Sequence, residues 1–299
     1  MSAPSASGTQ ITLASGRYEA RIVTVGAALA GLRFDGHDLV VGHGVDEIAT
    51  SYSGKTLMPW PNRIAGGVYR WEGETHEVPI NEASTGAALH GLMCWTDWTV
   101  IHADRDSATL GAFIAPRYGY PWALSASATY ALDDVRGLTV SLTARNVGSR
   151  PAPYGVSSHP YLTVDEAPSD VYELTCPAST VLETDERLSP IASTPVDAAG
   201  MDFRGTRVIG SQHVDHAFGG LPDGEWTTTL RDPSTGIASN LRADARWVQV
   251  YTGENLGRRG VAVEPMTCPP DAFNSGDDVV VLEPGQEHTL TFRIYGTRD

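Results

Sequence analysis

The chain is short of cysteine. Cys94, Cys176 and Cys268 are the three present in 299 residues, far apart in sequence. An odd, sparse set without CxxC spacing argues against a disulfide framework and against a structural zinc site. Basic charge is also scarce: 21 Lys+Arg stand against 36 Asp+Glu, a formal net charge of -15, and no basic run occurs. That balance makes nucleic acid and anionic membrane surfaces poor partners and suits a neutral ligand. No run is apolar enough to span a bilayer. The polar, Ser/Ala-rich stretch 1–10 has no basic segment followed by an apolar one, so no signal peptide is visible. A cytoplasmic location is expected. Residues 1–299 are read as one domain, with 1–10 a loose N-terminal segment.

Helical periodicity is missing too. No window beyond about 12 residues carries an amphipathic helical pattern, and the nearest helical candidate is Val45 to Thr50. What is present is strand. Tyr18, Ala20 and Ile22 alternate with Glu19 and Arg21. Val68–Trp71 and Thr75–Val78 flank Glu72-Gly73-Glu74, read as a three-residue hairpin loop. Four further pairs follow: Trp98–Ala103 with Ala108–Ala115, Trp122–Leu132 with Leu138–Val147, Trp226–Arg231 with Ile237–Leu241, and Val279–Leu282 with Thr289–Tyr295. The last pair is joined by Glu283-Pro284-Gly285-Gln286, which has turn chemistry. Many short strands and tight turns predict an all-β antiparallel sandwich. No repeat at a fixed period appears, and Ser189 to Gly210 reads as an irregular surface excursion.

Several segments could carry chemistry. Val261-Ala262-Val263 reads as a buried strand with Glu264 at its end, and Pro265 is expected to stop or displace regular pairing there. A carboxylate in such a partly dry setting has its pKa raised toward the range of a general base. His159, in Ser157-Ser158-His159-Pro160-Tyr161, is held extended by the following proline and suits a general acid. Asn62 and Arg63 follow the stiff run Met58-Pro59-Trp60-Pro61 and could bond hydroxyl groups, although Arg63 could equally pair with a carboxylate beneath a loop. His90 stands in Leu89-His90-Gly91-Leu92. His213-Val214-Asp215-His216 is a tempting metal motif, but His216 falls on the other strand face from His213 and Asp215, so Asp215 is read as a hydrogen-bond acceptor. Gln249 shares a face with Trp247 and Tyr251, an amide between aromatics that suits a sugar.

Taken in order, Asn62-Arg63, Leu89-His90-Gly91, His159-Pro160-Tyr161, Asp215, Gln249 and Glu264-Pro265 resemble the aldose 1-epimerase (galactose mutarotase) family, from about Arg17 to Tyr295. The resemblance implies a large β-sandwich of the supersandwich type, no metal and no cofactor. It implies His159 as general acid and Glu264 as general base. Asn62, Arg63, His90, Tyr161, Asp215 and Gln249 would bind the sugar. Leu162-Thr163-Val164 stands where the family often has Phe-Asn-Leu, and Met266-Thr267 follows Glu264-Pro265. The expected reaction is exchange of the α and β anomers of galactose or glucose through the open-chain aldehyde. A carboxylate and an imidazolium on opposite sides of the ring would act together, with the carboxyl pKa below that of the imidazole. A monomer or weak homodimer is expected. Three other readings compete. A hexose-6-phosphate 1-epimerase would need a cationic site, for which Arg258 and Arg259 are the available pair. A glycoside hydrolase would use Asp215 and Glu264. A non-catalytic carbohydrate-binding sandwich would use the aromatics and Arg63 alone.

Overall fold

The computed structural model describes residues 5–298. Its architecture is all-β, as the strand-and-turn pattern predicts. Among the described residues the α-helical content is one turn, Ala272–Ser275. The segment Val45 to Thr50 is not helical; a 3-10 turn starts at its end, at Thr50–Tyr52. Val45 and Asp46 make a turn there instead, with the Glu47 side chain accepting from the Gly44 N–H at 2.6 Å.

Two large antiparallel sheets dominate. The first has nine strands, in the spatial order Thr99–Ala103, Ser107–Ile114, Leu124–Asp133, Gly137–Asn146, Glu287–Arg298, Ile237–Ala243, Trp226–Arg231, Glu173–Thr175 and Arg207–Val208. The second has six, in the order Tyr161–Leu162, Val261–Met266, Trp247–Tyr251, Asp215–Gly219, Thr180–Thr184 and Pro190–Pro195. A four-stranded N-terminal sheet, from Gln10–Ser15 to His37–Asp38, completes the frame. Ser7, ahead of that sheet, is buried and donates its N–H to Val45 O at 3.2 Å.

The period-two pattern decides which face of the long sheet is inside. Leu124, Ala126, Ala128, Tyr130 and Leu132 are buried, and their cross-strand partners include Ala144, Leu142, Val140 and Leu138. The opposite face carries hydroxyl pairs instead, such as Thr143 with Thr289 at 2.7 Å and Ser141 with Thr291 at 3.0 Å. Apolar side chains from all three sheets join in one cluster, from Ile11 to Ile294, and burial of that area is the main stabilising term.

Three local readings need correction. The Val68–Trp71 hairpin has a two-residue loop, because Trp71 pairs with Glu74 and both Glu72 and Gly73 take positive φ. That is the primed-turn geometry that matches strand twist. Val280–Leu282 and Glu287–Arg298 are not partners. The first pairs with Ala152–Tyr154, and the second enters the middle of the nine-stranded sheet. Part of the Ser189 to Gly210 excursion is regular, since Pro190–Pro195 pairs with Thr180–Thr184.

Candidate active site

The strand Val261–Met266 is buried along its whole length. Val261 and Val263 face the main core, whereas Ala262 and Met266 pack into two small clusters on the other side. Glu264 lies between those clusters by the two-residue period and lines a cavity of about 310 Å³. Pro265 does not end the strand: it pairs with Val248, and Met266 pairs with Trp247. The physical reason lies in which way its donor would point. Val263 N–H donates to Pro160 O and Thr267 N–H to Val156 O, so the absent Pro265 N–H belongs on that same side. There the strand Ser157–Ser158 pairs with Thr56–Leu57 instead, and the missing donor breaks no ladder.

Cross-strand register assembles the floor of the cavity. Gln249 is opposite Glu264 on one side and Ala217 on the other, while Asp215 is opposite Tyr251. Gln249 Nε2 donates to Asp215 Oδ1 at 2.7 Å, which leaves the buried Gln249 Oε1 without a partner. On the other flank Tyr161 pairs with Ala262. Two residues back along that chain His159 comes beside Glu264, with Nε2 at 3.4 Å from Oε1. The Tyr161 ring stacks on the His159 imidazole at 5.0 Å and its hydroxyl donates to Ser51 O at 3.2 Å.

The wall is built from two loops that lock together. Arg63 pairs with Leu89, His90 N–H donates to Asn62 O at 2.8 Å, and Asn62 N–H donates to His90 Nδ1 at 3.2 Å. That last bond makes Nδ1 an acceptor, so the proton of neutral His90 is on Nε2. Burial holds the His90 imidazole well below its ordinary pKa, with His159 and Arg63 adding to the effect. Asn62 and His90 both have positive φ, an uncommon conformation outside glycine. Gly91 next to them has φ +71°, and a Cβ there would meet Met58 O at 2.1 Å. The turn can therefore be made only by glycine. The proline-rich exit after Glu264 also serves this wall, because Asp271 N–H donates to Arg63 O at 2.8 Å and Asp271 Oδ1 accepts from Ala65 N–H at 2.9 Å.

All eight residues singled out from the sequence, Asn62, Arg63, His90, His159, Tyr161, Asp215, Gln249 and Glu264, line this one cavity. Tyr251 does as well, but Trp247 turns away and donates Nε1–H to Asp278 at 2.8 Å. The neighbours of Asp215 are otherwise engaged: His213 Nδ1 is 2.9 Å from Glu254, and His216 Nδ1 accepts from the Asp215 N–H at 3.2 Å. Arg258 and Arg259 are outside the cavity, paired with Asp170, Glu254 and Glu166.

Sequence reasoning missed two important residues. Glu82 grips Arg63 with both carboxylate oxygens, at 2.6 Å to Nε and 2.9 Å to Nη2. An acid in a short Asn-Glu-Ala-Ser turn carries no signature that distinguishes it from the other acids. Tyr52 packs edge-on against His90 at 4.7 Å and is backed by Trp95 at 5.6 Å, over whose ring lies Lys55, the sole lysine of the chain. Tyr52 has positive φ in an irregular loop, which no periodicity announces.

The electrostatics correct one further expectation. Burial pushes the Glu264 carboxyl well above the usual carboxylate range; Asp215 adds to the rise and Arg63 opposes it. Burial pulls the His159 imidazole down to about 3, and Arg63 contributes to that fall. The carboxyl pKa is thus above the imidazole pKa, the reverse of the expected order. Both groups leave water together, and loss of solvation penalises each charged form. Burial thus favours the neutral form of each group in the free protein. The pair also sits side by side on one wall, at 3.4 Å, and not across a ring.

Known proteins resemble the chain in sequence and in fold. Residues 9–295 match the aldose 1-epimerase family. The uncharacterized protein YihR of Escherichia coli is 45% identical over 292 residues, covering 98% of this chain and 94% of its own length. The galactose mutarotase of Homo sapiens is 27% identical over 280 residues, covering 81% and 79%. Among solved structures, an aldose epimerase homologue from C. elegans superimposes with a TM-score of 0.88 at 20% identity, over 97% of this chain and 99% of its own. A galactose 1-epimerase from Lactobacillus acidophilus gives 0.84 at 21% identity, over 97% and 94%. These two structures speak for the fold, and the match along the sequence for the lineage: the chain belongs to the aldose 1-epimerase family.

Proposed function

We propose that this protein interconverts the α and β anomers of a free hexose, galactose or glucose in the first instance, by general acid–base catalysis without metal or cofactor. The whole chain acts as one unit in this reading. The observation that carries it is the buried His159–Glu264 contact at 3.4 Å, within a cavity of about 310 Å³ lined by polar side chains together with Tyr52, Tyr161, Tyr251 and two leucines. That volume is at the lower end of ligand pockets and suits a single sugar ring.

Ring opening takes a proton from the anomeric hydroxyl and delivers one to the ring oxygen. Both oxygens are bonded to C1, so the acceptor and donor must stand next to each other, as Glu264 and His159 do. The neutral pair and the ion pair hold the same number of protons. A bound sugar brings hydroxyl donors to the Glu264 carboxylate and replaces lost hydration, so the proton moves to His159 with no exchange with solvent. Glu264 then takes the anomeric proton while His159 protonates the ring oxygen. Rotation about C1–C2 presents the other carbonyl face, and closure reverses the two roles. Arg63, His90 Nε2–H, Asp215 and the free Gln249 Oε1 hold the hydroxyls.

The engaged state of Arg258 and Arg259 favours a free sugar over a 6-phosphate. The hydrolase reading leaves the His159 contact without a role. Proton NMR of the anomeric signals tests the proposal. Galactose and glucose should exchange anomers faster with the protein than without it, and the matching methyl glycosides should stay intact, because they lack the anomeric proton. Release of methanol would point to a hydrolase, and no effect on any compound would point to a binding module.

A further inference from the structure

Glu82 has no part in proton transfer, yet its geometry is too specific for a surface acid. It meets Arg63 bidentately at 2.6 and 2.9 Å, also accepts from Thr85 Oγ1, and lines the same cavity. The side chains of Arg63 and Glu82 are 12% and 19% exposed, so the pair is largely shielded from solvent. Arg63 Nη1 donates to Asn62 Oδ1 at 3.1 Å. Five guanidinium N–H groups minus these three leave one on Nη1 and one on Nη2 for a ligand. Glu82 therefore fixes which two donors remain and where they point.

Its charge matters as much as its shape. Arg63 is the sole Lys or Arg lining the cavity, where it faces Asp215, Glu264, His90 and His159 as well as Glu82. Tyr52, Tyr161 and Tyr251 are the other titratable groups around it. We propose that Glu82 is a positioning residue for anomer exchange: it aims the free Arg63 donors at the sugar and offsets the Arg63 charge at the His159–Glu264 pair. The inference rests on the epimerase reading.

The two halves of the role separate by substitution. Glu82→Gln keeps the shape and removes the charge. The uncompensated Arg63 cation then favours ionised Glu264 and disfavours protonated His159, so both limbs of the pH–rate profile move to lower pH, by about half a unit or more. Glu82→Asp keeps the charge and breaks the bidentate fit, so KM rises roughly tenfold while the profile stays in place. Polarimetric mutarotation of α-galactose and α-glucose across pH 5–9 reads both effects. Wild-type protein inactive on both sugars sinks the epimerase reading itself. Active wild type with an unmoved Glu82→Gln profile, or an unchanged KM in Glu82→Asp, overturns the inference alone. If Glu82→Gln does not fold, the KM of Glu82→Asp decides. A loss of rate with neither signature means that Glu82 is merely structural.

Discussion

At the scale of single residues, the buried His159–Glu264 pair makes two kinds of demand. Glu264→Ala and His159→Ala should each lower turnover by roughly 10²–10⁴-fold, the usual worth of a general acid–base group. Near-normal turnover of Glu264→Ala in the mutarotation assay would remove the proposed base. Stability should respond as well. The folded His159 pKa of about 3 lies below its unfolded value, so the stability it contributes is present above about pH 6.5 and lost as pH falls toward 3. Glu264 has a raised folded pKa, so its contribution is full below about pH 4.3 and lost as pH rises through the folded value. Between those limits the two oppose each other in the wild-type protein. Glu264→Gln removes one arm of that balance. Its melting temperature should fall more steeply than that of wild type between pH 7 and pH 4, as measured by circular dichroism. Parallel curves would show that the pair is not buried as described.

Elements decide whether those residues meet, and here the sequence was legible in a particular way. Strands such as Leu124–Asp133 and Gly137–Asn146 could be read because one face of each is dry and the other wet, which writes a period of two into the residues. The eight site residues could be found because their order matches a family pattern. Pairing could not be read. Nothing in Val279–Leu282 says that its partner is Ala152–Tyr154 and not the neighbouring strand after a Pro-Gly turn. Pro265 looked like a strand stop because its tolerance depends on which neighbour lacks a ladder, a property of the sheet and not of the residue. Glu82 was invisible because its partner Arg63 is 19 positions away across a loop. The locked loops behind that partner make their own prediction. In Gly91→Ala, a Cβ at 2.1 Å from Met58 O and a φ of +71° must be relieved by moving the chain. A loss of about 2 kcal/mol or more is expected, with a raised KM because His90 shifts with its neighbour. Urea unfolding and steady-state kinetics check both, and wild-type values would show that the turn is pliable.

At the scale of the whole molecule, the proposed chemistry needs only one cavity, between the six-stranded sheet and two loops, in a chain of net charge -15. Proton transfers between a carboxyl, an imidazole and a sugar need no ion. Incubation with a chelator should therefore leave the rate of anomer exchange unchanged. A loss that a divalent metal restores would return attention to His213, Asp215 and His216.

The strand Glu287–Arg298 has a consequence for how the molecule comes into being. It lies between Gly137–Asn146 and Ile237–Ala243 and, among the described residues, is the strand that joins the two halves of the nine-stranded sheet. A ribosome adds roughly 5–20 residues per second, so both halves wait, each with an open edge, until residues 287–298 emerge. Open edges of that kind recruit strands from other chains. A nascent chain stalled before Glu287 should be captured by chaperones or aggregate, and one that has exposed residues 287–298 should fold slowly, with its long-range pairing closed last.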